Sequence, residues 1–78
     1  MDIKVLGAGC AKCEKLFAEV EKAIAATGIN ARLSKIEKLE DIMAHGVMMT
    51  PALIIDGHIK VTGRVAKAAQ IENWLRGA

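Results

Sequence analysis

Between residues 3 and 24 the chain changes period. Ile3 and Val5 alternate with Lys4, the pattern of a half-buried strand, and the run stops at Gly7-Ala8-Gly9. From Cys13 the apolar positions Leu16, Phe17, Val20 and Ile24 recur at spacings of three and four. Lys15, Glu19 and Lys22 take the other face, and Gly28 ends the segment. A strand thus turns through a glycine-rich loop straight into an amphipathic helix. Such a helix returns the chain across the sheet, so a second strand parallel to the first is expected.

Ile29, Ala31 and Leu33 alternate with Asn30 and Arg32 and predict that second strand. Ser34 to Glu37 has the S-x-x-E form of a capping box, which predicts a second helix starting there. Its inner face would be Ile36, Leu39, Ile42 and Met43, with a stop at Gly46. Ala52 to Ile55, then Asp56-Gly57, then Ile59 and Val61 alternating with His58, Lys60 and Thr62, predict a β-hairpin with a type I′ turn. After Gly63, the residues Val65, Ala68, Ile71, Trp74 and Leu75 mark a closing helix. The order is β-α-β-α-β-β-α, an α/β chain whose four strands form a mixed sheet with helices on both faces.

Composition narrows the class. At 78 residues, 53% apolar and 26% charged, residues 1–78 are expected to form a single globular domain without linker or repeat. The net charge is +2 with Lys and Glu interspersed, and one Phe, one Trp and no Tyr give no platform for stacked bases. Nucleic acid is not an expected partner. The longest apolar run, Ala52-Leu53-Ile54-Ile55, is too short for a membrane span, and MDIKVLG has no basic-then-apolar leader. A soluble cytoplasmic monomer is expected. Two cysteines are too few for the framework of a small secreted domain; in a reducing compartment such a pair is catalytic or metal-binding.

Cys10-Ala11-Lys12-Cys13 is a C-x-x-C motif where loop becomes helix. Helical register separates the two sulfurs: Cys13 begins the apolar stripe and faces the core, while Cys10 sits at the exposed tip. The unpaired N–H groups and dipole of the helix start favour a thiolate at Cys10, lowering its pKa from the free value of about 8.5. A Cys10–Cys13 disulfide would close a very short loop, so it restricts the unfolded chain little and can turn over without dismantling the fold. The chemistry expected is attack of Cys10 on a substrate disulfide, then release of the mixed disulfide by Cys13. Lys12 either adds positive potential near Cys10 or is simply a solvated helix residue. The motif by itself is shared with zinc sites and metal chaperones.

Other residues carry two readings each. Pro51, the one proline, lies directly before the buried run; it is an ordinary trans strand start or a cis peptide. Met48 and Met49 are a soft docking surface or core filler. His45 near a helix end and His58 on an outward strand face read as surface residues, and their spacing from the cysteines does not match structural zinc modules, so no metal site is expected.

Taken together, Gly7-Ala8-Gly9-Cys10-Ala11-Lys12-Cys13, Gly46-Val47-Met48-Met49-Thr50-Pro51-Ala52-Leu53, Asp56-Gly57 and Gly63-Arg64 resemble the small glutaredoxin-like thioredoxins, also called redox-active disulfide proteins, of archaea and bacteria. The resemblance spans nearly the whole chain and implies a minimal thioredoxin/glutaredoxin fold. It further implies a thiol–disulfide oxidoreductase with Cys10 as nucleophile, Cys13 as resolving thiol, and Pro51 in the cis form facing them. The backbone of Thr50 would pair with an extended substrate, Gly63 would keep the adjoining surface open, and Met49 would line it. The partners implied are disulfide-containing proteins and an upstream reductase, with no cofactor beyond the redox-active disulfide.

The sequence departs from the larger thioredoxins at three positions. Gly9 replaces the tryptophan before the first cysteine, Lys12 the proline between the cysteines, and Lys4 the buried acid six positions before Cys10. Gly9, Ala11 and Lys12 therefore modulate the pair in ways particular to this chain, and the proton acceptor for Cys13 is open. Two other readings compete. Metal-binding chaperones carry C-x-x-C in a similar loop but run β-α-β-β-α-β and usually place methionine where this chain has Ala8; a redox-sensing adaptor would form the disulfide without turnover.

Overall fold

The computed structural model of the chain describes residues 1–77. Its elements follow the order β1 (Asp2–Leu6), α1 (Ala11–Thr27), β2 (Arg32–Ile36), α2 (Leu39–Ala44), β3 (Ala52–Ile55), β4 (His58–Thr62) and α3 (Ala68–Leu75). The strands form one sheet of order β2-β1-β3-β4, in which β1 pairs parallel with β2 while β1–β3 and β3–β4 are antiparallel. This is the minimal thioredoxin fold expected from the sequence.

Two cores of unequal size hold the sheet. On one face Ile3, Val5, Leu53, Ile55 and Val61 meet α1 and α3 through Leu16, Val20, Ala23, Ile71 and Leu75. On the other, Leu6, Ala52 and Ile54 meet Ile42 of α2 and Val47. β3 is apolar throughout because both its faces are covered, whereas β1 carries Asp2 and Lys4 alongside its buried positions. α1 buries Cys13, Leu16, Val20 and Ala23 at spacings of three and four, and Gly28 closes it at a left-handed φ of 67°.

Three expectations need correction. The second strand runs Arg32–Ile36, and Ser34 lies in the ladder opposite Lys4 rather than capping a helix. Backbone pairing with β1, begun where Arg32 N–H donates to Met1 O at 2.8 Å, overrides the local capping pattern. α2 begins only at Leu39, and its N-cap Lys38 makes no side-chain bond. Its inner face is also narrower than expected: Ile42 is buried, whereas Leu39 and Met43 are 72% and 64% exposed and Ile36 packs from β2.

The third correction concerns the hairpin. Asp56 and Gly57 have φ of 47° and 83°, the positive pair of a type I′ turn. The ladder pairs Leu53 with Val61 but Ile54 with Ile59, so Lys60 is an extra residue and β4 is bulged. The bulge puts Val61 into the larger core and turns Ile59 toward the other face, where it is 47% exposed.

One contact ties the two helices of the larger core. Ala68 N–H donates to Glu19 Oε1 at 3.1 Å, so a carboxylate of α1 caps α3, whose own N-cap Lys67 offers no side-chain bond. The Lys22 ammonium bonded to Glu19, together with that backbone N–H, holds the Glu19 carboxyl below the ordinary glutamate range. With the folded pKa depressed, the contribution is present above the unfolded value and lost as pH falls through the folded one. Glu19→Gln is therefore expected to be less stable than wild type at neutral pH, with the difference shrinking on acidification in urea titrations; a gap constant with pH would contradict the capping role. Leu16→Ala should cost about 3 kcal/mol in the same assay, and Leu39→Ala no more than about 0.5 kcal/mol.

Candidate functional site

Cys10 is the N-cap of α1. Its backbone is extended (φ −108°, ψ 152°), and its Sγ accepts the Cys13 N–H at 3.1 Å. The sulfur thus stands where a Ser or Asp oxygen would satisfy the orphan donors of a helix start. Three residues on, Cys13 points back onto the sheet and is 6% exposed, while Cys10 is half-buried and Gly9, Ala11 and Lys12 are exposed. The two sulfurs are joined in a disulfide with Cα atoms 5.2 Å apart. Helix register alone separates an outer sulfur from an inner one.

The floor beneath the inner sulfur is bare backbone. Gly7 has a φ of 152°, and a Cβ placed on it would overlap Cys13 Sγ and lie 3.5 Å from Thr50 Cβ. Gly7 therefore brings the end of β1, the first turn of α1 and Thr50 into contact range. The Thr50–Pro51 peptide bond is cis. Pro51 is buried, and its carbonyl accepts the Gly63 N–H at 2.8 Å. A Cβ on Gly63 would come within 3.0 Å of Met49 Cε, so Met49 lies across Gly63. Thr50, Pro51, Met49 and Gly63 form one cluster, and Gly7 links it to the cysteines. Met48 beside it is 98% exposed, which excludes the core-filler reading.

Lys4 and His45 meet on the face of the sheet away from α1. Lys4 shares the sheet face of Leu6, away from α1, and its Nζ lies 3.6 Å from Asp2 Oδ2 and 3.5 Å from His45 Nε2. His45 is half-buried rather than a surface residue, because it is the C-cap of α2 and folds back on that helix. Its Nδ1 donates to Asp41 O at 2.7 Å, which leaves Nε2 as the acceptor for the Lys4 ammonium. His58 is exposed at the start of β4. No group of three or more His, Cys, Asp or Glu side chains placed to hold a metal ion occurs among the described residues. A hollow of about 560 Å³ lined by Asp2, Asn30, Arg32 and Asp56 lies at the other end of β1 from the cysteines and takes no part in their surroundings.

Sequence reasoning read Gly7 only as part of a tight loop. Its service as the surface on which Cys13 rests was hidden, because the contact depends on the angle at which α1 leaves that loop. The one available hint was a glycine at the very end of an apolar strand, where a side chain would normally continue the alternation.

With the geometry in place, comparison with known proteins decides the family. A family model described as a thioredoxin domain matches residues 1–76. The chain belongs to the thioredoxin family. It is 36% identical over 75 residues to a thioredoxin of Methanothermobacter thermautotrophicus, covering 96% of this chain and 97% of that protein. A thioredoxin of Methanocaldococcus jannaschii is 31% identical over 74 residues, covering 95% of this chain and 85% of the relative. Family membership and the bonded cysteine pair support a general thiol–disulfide oxidoreductase role. No helix among the described residues is long and apolar enough to cross a membrane.

If Gly7 is the floor of this thioredoxin site, Gly7→Ala should destabilise the oxidised protein by about 3 kcal/mol, since the added methyl meets a sulfur fixed at both ends. Gly63→Ala should cost about 1–2 kcal/mol, the usual penalty at positive φ, because the end of Met49 can swing aside. Urea denaturation of both variants provides the comparison; equal losses would contradict the packing argument.

Proposed function

We propose that the protein exchanges its Cys10–Cys13 dithiol with disulfides of protein substrates through a mixed-disulfide intermediate. The observation that carries this is the position of Cys10 as N-cap of α1, its sulfur already accepting a helix N–H. In the reduced protein the same N–H groups and the helix dipole favour a thiolate at that sulfur.

The thiolate attacks one sulfur of the substrate disulfide, and the other leaves as a thiolate that takes a proton from solvent. Cys13, three residues away and beneath it, then attacks Cys10 Sγ. The bond from Cys10 to substrate breaks, the substrate leaves as its second thiol, and the protein holds the disulfide; two electrons have passed from protein to substrate. An upstream reductase restores the dithiol, and no other cofactor takes part.

Thr50, Pro51, Met49 and Gly63 are the residues that would hold the substrate segment. They adjoin Cys13 through Gly7, and Met49, Thr50 and Pro51 lie directly before β3 begins at Ala52. Gly9, Ala11 and Lys12 surround the outer sulfur and tune it. Residues 1–78 act as one unit in this reading, working as a monomer in the cytoplasm.

With dithiothreitol as electron source, the purified protein is expected to reduce the disulfides of insulin, read as precipitation of the freed B chain. Cys10→Ser should abolish this, and Cys13→Ser should accumulate mixed disulfides visible by mass spectrometry. Full activity in Cys10→Ser would overturn the assignment. Stoichiometric copper(I) binding by a protein without reductase activity would replace it with a metal-binding one.

A further inference from the structure

The second step of the proposed cycle demands something the site does not obviously supply. Cys13 must become a thiolate to attack, yet it is 6% exposed, and burial disfavours the charged form of a thiol. Its proton needs an acceptor. Lys4 cannot be that acceptor, since it is a cation on the opposite face of the sheet, held toward Asp2 and His45.

Beside Cys13 lies a small cavity of about 20 Å³, lined by Cys13, Gly7, Glu14, Lys35 and Glu37 among others. A space of about 10–15 Å³ suffices for one water molecule, provided polar partners surround it. Which side chain answers the inner sulfur follows from register. The parallel ladder pairs Leu6 with Ile36, and Gly7 N–H donates to Ile36 O at 2.9 Å, so the pairing continues one step beyond both strands. That step brings Glu37 alongside Gly7, the residue on which Cys13 Sγ rests.

Alternation settles the face. Lys35 lies over the Phe17 ring of α1, 4.5 Å from its centroid, and Ile36 packs on the opposite side with α2. Glu37 therefore returns to the α1 side, where Cys13 is. Glu14 and Glu37 are both exposed, but Glu14 is one helix position past Cys13 and turned about 100° from it.

We propose that Glu37, acting through one water in this cavity, accepts the Cys13 proton as the mixed disulfide is resolved. The proton passes from Cys13 Sγ to the water while the water gives one to the Glu37 carboxylate. The Cys13 electron pair forms the bond to Cys10 Sγ, the bond from Cys10 to substrate breaks, and Glu37 later returns its proton to solvent. Glu37 is a positioning residue in this step, since it reaches the sulfur only through water.

The proposal rests on the reading of Cys10 as nucleophile, and one experiment separates the two. Reduced protein mixed with one equivalent of dithiobis(nitrobenzoate) releases a first coloured thiolate when Cys10 attacks and a second when Cys13 resolves the adduct; both phases can be followed by stopped-flow absorbance. Glu37→Gln is expected to leave the first phase at the wild-type rate, which also reports an intact fold. It should slow the second about 100-fold at neutral pH. The deficit should shrink as pH rises and hydroxide takes over the proton, and Glu37→Asp should recover most of the rate. A second phase unaffected in Glu37→Gln, slowed by the same factor at every pH, or slowed instead by Glu14→Gln would overturn the assignment. A first phase that survives in Cys10→Ser would overturn the underlying reading of Cys10.

Discussion

Everything at the redox end of the molecule depends on one steric allowance: a sulfur of α1 sits where the last residue of an apolar strand would have placed a side chain. Because Gly7 has none, α1 can start close against the sheet, and its N-terminus emerges beside Thr50, 43 positions further along the chain. Any side chain at Gly7 would push the first turn outward and separate the cysteines from the Thr50–Pro51 segment. Packing this close transmits displacement directly, since protein interiors leave no slack at the scale of a methyl group.

The remainder of the structure isolates that end from the redox state of the sulfurs. The larger core, from Ile3 and Val5 through Leu16 and Val20 to Ile71 and Leu75, lies along the sheet and includes neither cysteine. The Cys10–Cys13 link spans only three residues, and a loop so short restricts the unfolded chain little. Stability is therefore supplied by burial along the sheet and by the Glu19 cap between helices. The fold does not depend on the disulfide for its main core.

How far the sequence disclosed this is best judged element by element. α1 was legible because its stripe from Cys13 to Ile24 keeps one helical period, and the turn at Asp56-Gly57 was legible because few dipeptides accept two positive φ values. The site cysteines followed from that same helix register. β2 was misplaced because its strongest determinant is not local: Ser34 and Glu37 form a capping pattern by themselves, but pairing with β1 satisfies the backbone from Arg32 to Ile36. Ile59 was read as sharing a face with Val61 because alternation cannot reveal a bulge at Lys60. The Lys4–His45 contact was not foreseen, because residues 41 positions apart meet only after α2 has packed. Each failure is a long-range contact overruling a correct local signal.

The unequal layers also give the two walls of the site different supports. α2 has six residues and buries one of them, and the surface it leaves, with Leu39, Met43, Met48, Met49 and Ile59 exposed, lies on the thinner side of the sheet. The segment from Gly46 to Thr50 runs from this thin layer to the start of β3, with Val47 as its one buried residue. By contrast the cysteines are anchored in α1, which belongs to the thick layer. One wall of the site is thus fixed by the main core, while the other follows a layer with few buried contacts, the condition under which local adjustment costs least. Methionine suits that second wall, since an unbranched thioether can repack against different surfaces without strain. The difference between the two walls follows directly from placing two helices on one face of a four-stranded sheet and a single short one on the other.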